Sequence, residues 1–354
     1  MSVGVRVGVI GTGWADRVLI PALQAGGLQV AAVASREPGR ARAVAERHGV
    51  PGFTGSWREL LDMDVDLVAV TSPPALHLEQ AVAVLESGRH LLCEKPLAVE
   101  ASQAEAIVAA ARASDRLALV DHELRFAPAR AKARELIASG AIGRVITVTA
   151  RVANRNRVDP TRPWTWWSDA AQGGGILGAL GSHVLDSIRW LLGGELEVRG
   201  ATLGRVYPWR RDADGVERPV TAEDIASLTL RAADRVVGTV LLHGAALDDA
   251  IDLFTVRGTE GSLVIDRSLK LYYGKRGGPL KEYVTPLPTI VPNRFRASGF
   301  AAGSVLFGEA LARALGLGER EALAQAATVA DGLAVQRAID RARRLDAAPE
   351  DAGA

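Results

Sequence analysis

Residues 5–16 read VRVGVIGTGWAD. A run rich in valine and isoleucine stops at Gly11, and an amphipathic stretch begins three residues later. A strand that feeds straight into a helix through glycines fits few architectures. Gly11 permits the tight turn. Gly13 lets an anionic group approach the backbone at the helix N-terminus, with Thr12 and Trp14 completing the loop. Asp16 stands where the pattern G-x-G-x-x-G has its third glycine, so the motif is incomplete. What supports it is its place in the first strand–helix turn of the chain.

The next hundred residues repeat the same alternation. Strands are expected at 28–35, 66–72, 90–94 and 117–121. Between them lie helices at 14–25 (kinked at Pro21) and from Pro38 to Gly49, a short one capped by Ser56 and Glu59, one ending near Ser87, and an alanine-rich one with Ser102 and Glu105 as a capping box. Such alternation builds a parallel, doubly wound sheet. After residue 122 the pattern changes. A helix at 128–139 is followed by strand-like runs at 144–153, 196–207, 224–231, 235–243, 251–257 and 261–265, mostly alternating, as in an antiparallel sheet with one face covered. Helices are expected at 175–192, 301–315 and 319–344. The expected division is a dinucleotide-binding domain over 1–122, an α+β domain over 123–346 and a frayed tail over 347–354.

A formal net charge of +1 implies no nucleic-acid or membrane-surface partner. The single Cys93 excludes an internal disulfide and gives no metal framework, and the six histidines show no metal-ligand spacing. No uncharged run approaches the roughly 20 residues of a membrane helix, and the N-terminus lacks a signal-peptide layout. A cytoplasmic protein without metal is expected.

The end of the second strand bears on the nicotinamide cofactor. An acidic residue there binds a ribose 2′-hydroxyl, whereas arginine accommodates a 2′-phosphate. This strand ends Ala34-Ser35-Arg36, with Arg40 one turn on. Ser35, Arg36 and Arg40 favour NADP(H), with NAD(H) as the alternative.

Four motifs then fall in order: GVIGTG at 8–13, VTSPPALH at 70–77, CEKP at 93–96 and GGGILGALGSHVLD at 173–186. Together they resemble the Gfo/Idh/MocA family, the relatives of glucose–fructose oxidoreductase and inositol dehydrogenase, over essentially the whole chain. The resemblance implies an N-terminal Rossmann domain and a C-terminal α+β domain whose open, mostly antiparallel sheet makes a homo-oligomer. It implies hydride transfer to or from a carbinol or ketone of a sugar or cyclitol. By the same resemblance Thr71, Ser72, Pro73 and His77 lie beside the nicotinamide ribose, Glu94 and Lys95 lie at the nicotinamide with Lys95 bonded to the reacting oxygen, the Lys95–Pro96 bond is a candidate for cis, and Arg125 sits near the domain junction. The family usually has aspartate four residues before its histidine. Here Ala179 precedes His183. Half of the usual acid/base pair is missing.

Of 42 basic residues only five are lysine, leaving 42 − 5 = 37 arginines. A lysine at position 95 is therefore informative, because it can lower its pKa and exchange a proton where arginine cannot. Lys95 reads as the acid/base and His183 as its assistant. His183 also reads as a core histidine, and His77 as a helix-start residue that merely packs. The stretch 151–169, with Arg162, Trp164, Trp166 and Trp167, reads either as a substrate wall, with aromatic faces for a sugar ring, or as a packing loop. Three functions remain open: an NAD(P)-dependent dehydrogenase; a cofactor-binding sensor or scaffold that lost catalysis, which Ala179 favours; and an enzyme whose oxidation step serves an elimination or epimerisation.

Overall fold

The computed structural model describes residues 4–233, 235–247 and 253–347. All but Ala347 of the expected tail, and the first two residues of the run at 251–257, lie outside the described residues.

Two compact units result. The first holds the described residues up to Ala98, Ser102–Ala131 and Pro286–Leu333. Its strands are β1 (Arg6–Ile10), β2 (Gln29–Ala34), β3 (Gly52–Thr54), β4 (Leu67–Val70), β5 (His90–Cys93) and β6 (Ala118–Val120). Its helices include α1 (Ile20–Ala25), α2 (Pro38–His48), α3 (Trp57–Leu61), α4 (His77–Glu86) and α5 (Ala101–Ala113). The strands pair in parallel in the order β3-β2-β1-β4-β5-β6. This is the doubly wound order whose direction reverses between β1 and β4, where a crevice opens at the carboxyl ends. The strands are covered on both faces, so they read as continuous apolar runs: Val7, Val9, Val68, Ala69, Leu91 and Leu92 are buried.

The second unit holds Val99–Ala101, Lys132–Thr285 and the chain from Ala334. After α6 (Pro128–Ala138) come β7 (Val145–Ala153), α7 (Ser182–Leu192), β8 (Leu196–Gly204), the hairpin β9 (Trp209–Arg211) and β10 (Glu217–Pro219), β11 (Ile225–Ala232), β12 (Val236–His243), β13 (Leu253–Gly258), β14 (Gly261–Asp266), β15 (Leu271–Lys275) and β16 (Lys281–Tyr283). The large sheet runs β16-β15-β14-β13-β7-β12-β11-β8, antiparallel except where β7 meets β12. Residues alternate between a buried face, with Val148, Leu228, Leu230, Val240 and Leu242, and an open one. α7 packs on the covered side.

The chain returns to the first unit after Thr285, which a single boundary at 122 does not anticipate. The reason is α8 (Gly299–Gly316), which packs on α1. Its Phe307 stacks on Phe126 with ring centroids 4.5 Å apart. The expected helix at 319–344 is also divided. A turn at Arg320–Leu323 precedes β17 (Ala327–Thr328), which pairs antiparallel with β6, and α9 (Val329–Ala347) starts only afterwards. Thr328 and Asp331 explain the new start: the Thr328 N–H donates to Asp331 Oδ2 at 3.0 Å, and the Asp331 N–H to Thr328 Oγ1 at 3.3 Å, a reciprocal cap.

Contact between α1 and α8 depends on Gly26. A Cβ there would lie 2.5 Å from Glu309 N and 2.6 Å from Gly308 C, backbone atoms that cannot swing aside. Gly26→Ala should lower stability by about 1–3 kcal/mol in urea unfolding. Gly39→Ala, in the first turn of α2 with nothing within 4 Å of its Cβ, should stay within about 0.5 kcal/mol of the parent. Equal effects at the two positions would contradict this packing.

Candidate active site

Parallel pairing brings the polar residues that follow β1, β2, β4, β5 and β6 to one edge of the first unit. After β1, the Gly11 N–H donates to Ala34 O at 2.9 Å, and Gly11 has φ +108°. A Cβ on Gly11 would meet Thr71 Oγ1 at 2.6 Å and Thr71 O at 2.8 Å. Thr71 is held in turn, its hydroxyl donating to Ile10 O at 2.9 Å. Only glycine fits there. Gly13 is different: no atom of the described residues lies within 4 Å of its missing Cβ. Protein packing does not require that glycine, whereas close approach of a diphosphate does. Thr12 is buried, Trp14 packs against the core, and no side chain caps the helical turn that starts after Trp14. The loop therefore fits a dinucleotide phosphate, with amide donors at a helix N-terminus.

That turn, Ala15–Leu19, is π-helical and carries Asp16. Asp16 Oδ2 accepts from Arg47 Nη1 at 2.5 Å, and Oδ1 lies 2.9 Å from His48 Nε2. Burial pushes this carboxyl up, but Arg47 and His48 outweigh it and hold it below the usual carboxylate range. The departure from the third glycine thus ties the phosphate loop to the end of α2. After β2, Ser35 is half-buried, and Arg36 and Arg40 are exposed.

After β4, Ser72 Oγ donates to Gln80 Oε1 at 2.6 Å. His77 is wholly buried at the start of α4, Nε2 lying 2.8 Å from Ser72 O and Nδ1 3.1 Å from Pro96 O. Burial holds its pKa below the ordinary value, against the pull of those carbonyls. His77 staples the loop after β4, with Pro73, to the loop after β5. In the latter the Lys95–Pro96 bond is cis. Glu94 is buried; its N–H donates to Val70 O at 2.9 Å, and its Oε2 accepts from the Lys95 N–H at 3.2 Å. Lys95 is half-buried. After β6, Arg125 is buried and turned toward the start of α9 and the residues before it, 3.4 Å from Ala326 O and 3.5 Å from Asp331 Oδ1.

In the second unit His183 sits at the start of α7, directly after a π-helical turn at Leu177–Gly181. It is buried, as is Asp186. Ala179 lies half-buried inside the π turn, where bonds run i to i+5. The four-residue spacing from Ala179 to His183 is therefore not that of a regular helix face. Sequence reasoning missed what holds this segment. Glu223, also buried, accepts from the Leu177 N–H and from Arg343 Nη2, each at 3.1 Å. Its own carbonyl takes the Ile176 N–H at 2.8 Å. Gly175, with φ +101°, leaves room for that carboxyl. The signal was the run Gly173-Gly174-Gly175, which demands a close neighbour.

The arginine- and tryptophan-rich stretch is pinned internally. Arg157 Nε lies 3.3 Å from Asp224 Oδ1, and its Nη2 donates to Ser168 Oγ at 2.9 Å. Arg210, from β9, donates to Asp159 O and Arg157 O, both at 2.8 Å. Trp164 Nε1 donates to Pro219 O at 2.9 Å, with the Arg218 guanidinium 5.6 Å above its ring. Trp166 and Trp167 are half-buried, 6.0 Å apart. Arg162 is exposed, Nη1 donating to Asn156 O at 2.6 Å.

A Rossmann sheet with this phosphate loop, joined to a mostly antiparallel sheet unit, defines an NAD-binding oxidoreductase. Residues 5–122 match the oxidoreductase family with NAD-binding Rossmann fold, and residues 131–264 match the GFO/IDH/MocA C-terminal domain. The chain belongs to the GFO/IDH/MocA family. It is 31% identical over 306 residues to an uncharacterized oxidoreductase of Synechocystis, covering 83% of this chain and 82% of that protein. It is 31% identical over 250 residues to levoglucosan dehydrogenase of Pseudarthrobacter phenanthrenivorans, covering 66% of this chain and 64% of the enzyme. Among solved structures, levoglucosan dehydrogenase in complex with NADH and L-sorbose superposes with a TM-score of 0.86 at 25% identity, over 97% of both chains. No helix among the described residues is long and apolar enough to cross a membrane.

Proposed function

We propose that this oxidoreductase removes a hydride from a secondary alcohol of a sugar-like or cyclitol substrate, or returns it to the matching ketone, with Lys95 as the acid/base and His183 assisting. The position of Lys95 carries the reading: it follows β5 at the carboxyl edge of the sheet that also bears Gly11 and Gly13, and it is one of five lysines in the chain. The nicotinamide, when bound, exchanges the hydride. Lys95 hydrogen-bonds the alcohol oxygen and takes its proton as the carbonyl forms. His183 donates a hydrogen bond to the substrate; its support is the glycine-rich motif it stands in. Sugars in the relatives' names support the substrate class. Ala179 gives a second reading its observation: a cofactor-binding sensor or scaffold with reduced catalysis. A single cysteine needs no oxidising compartment, which supports a cytoplasmic setting.

Arginine at position 95 keeps the charge but cannot release a proton. Lys95→Arg should leave cofactor affinity nearly unchanged while turnover falls about 10²–10⁴-fold. Turnover within a few-fold of the parent would make Lys95 an electrostatic anchor only.

NADP(H) preference is part of the reading, supported by Ser35 and Arg36 after β2 and Arg40 in the first turn of α2. Arg36→Ala should weaken NADPH by about 1–3 kcal/mol in a fluorescence titration and spare NADH. Equal binding of both by the parent contradicts this preference.

A homo-oligomer through the large sheet is also proposed. On its open face Val237 and Leu241 pair with Thr147 and Arg151, and Leu253 pairs with Arg151 from the other side. Val237, Leu241 and Leu253 are 48%, 39% and 39% exposed, enough apolar surface to favour a second copy. Leu241→Arg should shift the protein to a smaller species in sedimentation equilibrium; a monomeric parent would end the proposal.

A further inference from the structure

Parallel register sets Cys93 beside Val120, so the next residue of each strand also lies side by side. Those residues are Glu94 and Asp121, only 9% and 1% exposed. Neighbours in parallel register present their side chains to the same side, so the two carboxyl groups lie next to each other. Among the described residues, neither Asp121 oxygen, nor Glu94 Oε1, receives an N–H or O–H. Two ionised carboxylates are both acceptors; buried side by side they repel, and a proton on one of them relieves this.

We propose that Asp121 is a positioning residue for the reaction: it keeps a buried proton between itself and Glu94, so that Lys95 faces one negative charge from this pair and not two. Glu94 is the partner that carries the charge, because its Oε2 already accepts the Lys95 N–H. Burial, then Glu123, then Glu94 itself push the Asp121 carboxyl well above the usual range. The other titratable and charged groups here are the buried Cys93 thiol on β5, His122, Glu123 and Arg125 after β6, Asp331 beside Arg125, and the buried His77 of α4.

The consequence concerns proton release. A lysine facing two carboxylates is held as a fixed ammonium, whereas one facing a single carboxylate keeps a proton it can exchange. The proposal rests on Lys95 being the acid/base. Its test uses neither substrate nor cofactor, so the two readings fail separately.

The test is competitive labelling of the full chain with acetic anhydride across pH, read at each lysine by peptide mass spectrometry. The midpoint of Lys95 labelling reports its ionisation. Asp121→Asn exchanges one neutral group for another and should leave that midpoint where it is in the parent. Glu94→Gln/Asp121→Asn removes the remaining charge and should lower it by about 1–2 pH units. A fall with Asp121→Asn alone means two charges and overturns the proposal, as does a double variant with the parent's midpoint. The unsubstituted protein gives a check that needs no variant: its infrared spectrum at pH 7 should retain the carbonyl band of a neutral carboxylic acid, and a spectrum without that band overturns the proposal too.

Discussion

In a parallel sheet covered on both faces, a strand has nowhere to put a polar side chain except at its ends. β1, β4 and β5 obey this strictly, with Val9, Ala69 and Leu92 among residues shut off from solvent. Polar residues of the first unit thereby gather at the carboxyl edge, where successive loops meet: Gly11 against Thr71, Ser72 and Pro96 against His77, Glu94 next to Asp121. The register that builds the sheet also sets which functional groups touch. A shift by one residue between β5 and β6 would separate the two carboxyls and rebuild the surroundings of Lys95.

The second unit solves a different problem. Its sheet has one covered face, and the segment bearing His183 must begin without a regular N-cap. Gly174 and Gly175 bring the backbone close to Trp166, Trp167 and Glu223, and the Glu223 carboxyl takes over the capping of a π turn. A buried acid paired with Arg343 makes this start rigid where glycine alone would leave it loose. The guanidinium groups of Arg157 and Arg210 act similarly, fastening the tryptophan-rich stretch through Asp224, Ser168 and backbone carbonyls.

Much of this was legible beforehand, for physical reasons. β1, β2, β4 and β5 are apolar runs bounded by turn residues, and Gly11, Lys95 and His183 stand in motifs whose residue types have few substitutes. Short elements were not legible. β3 and β17 have three and two residues, too few for any periodicity, and exist because a neighbouring strand offers a free edge. The β9–β10 hairpin had a signal in Asp212–Gly215, where Asp212 Oδ1 accepts from the N–H groups of Asp214 and Val216 at 3.0 and 2.9 Å. Asp121 and Glu223 were invisible because their roles come from register and from contacts distant in sequence. For the stretch 151–169 residue type left a substrate wall and a packing loop open; Arg157, within it, is buried on the internal partners Asp224 and Ser168.

Whether the protein moves a hydride at all separates the dehydrogenase from the sensor. The direct measurement is to incubate it with NAD⁺ or NADP⁺ and a panel of sugars and cyclitols carrying deuterium on carbon, and to examine C4 of the nicotinamide by NMR. The account predicts one deuterium at C4 of the reduced cofactor from at least one member of the panel. Cofactor that binds yet gains no deuterium from any of them would contradict it.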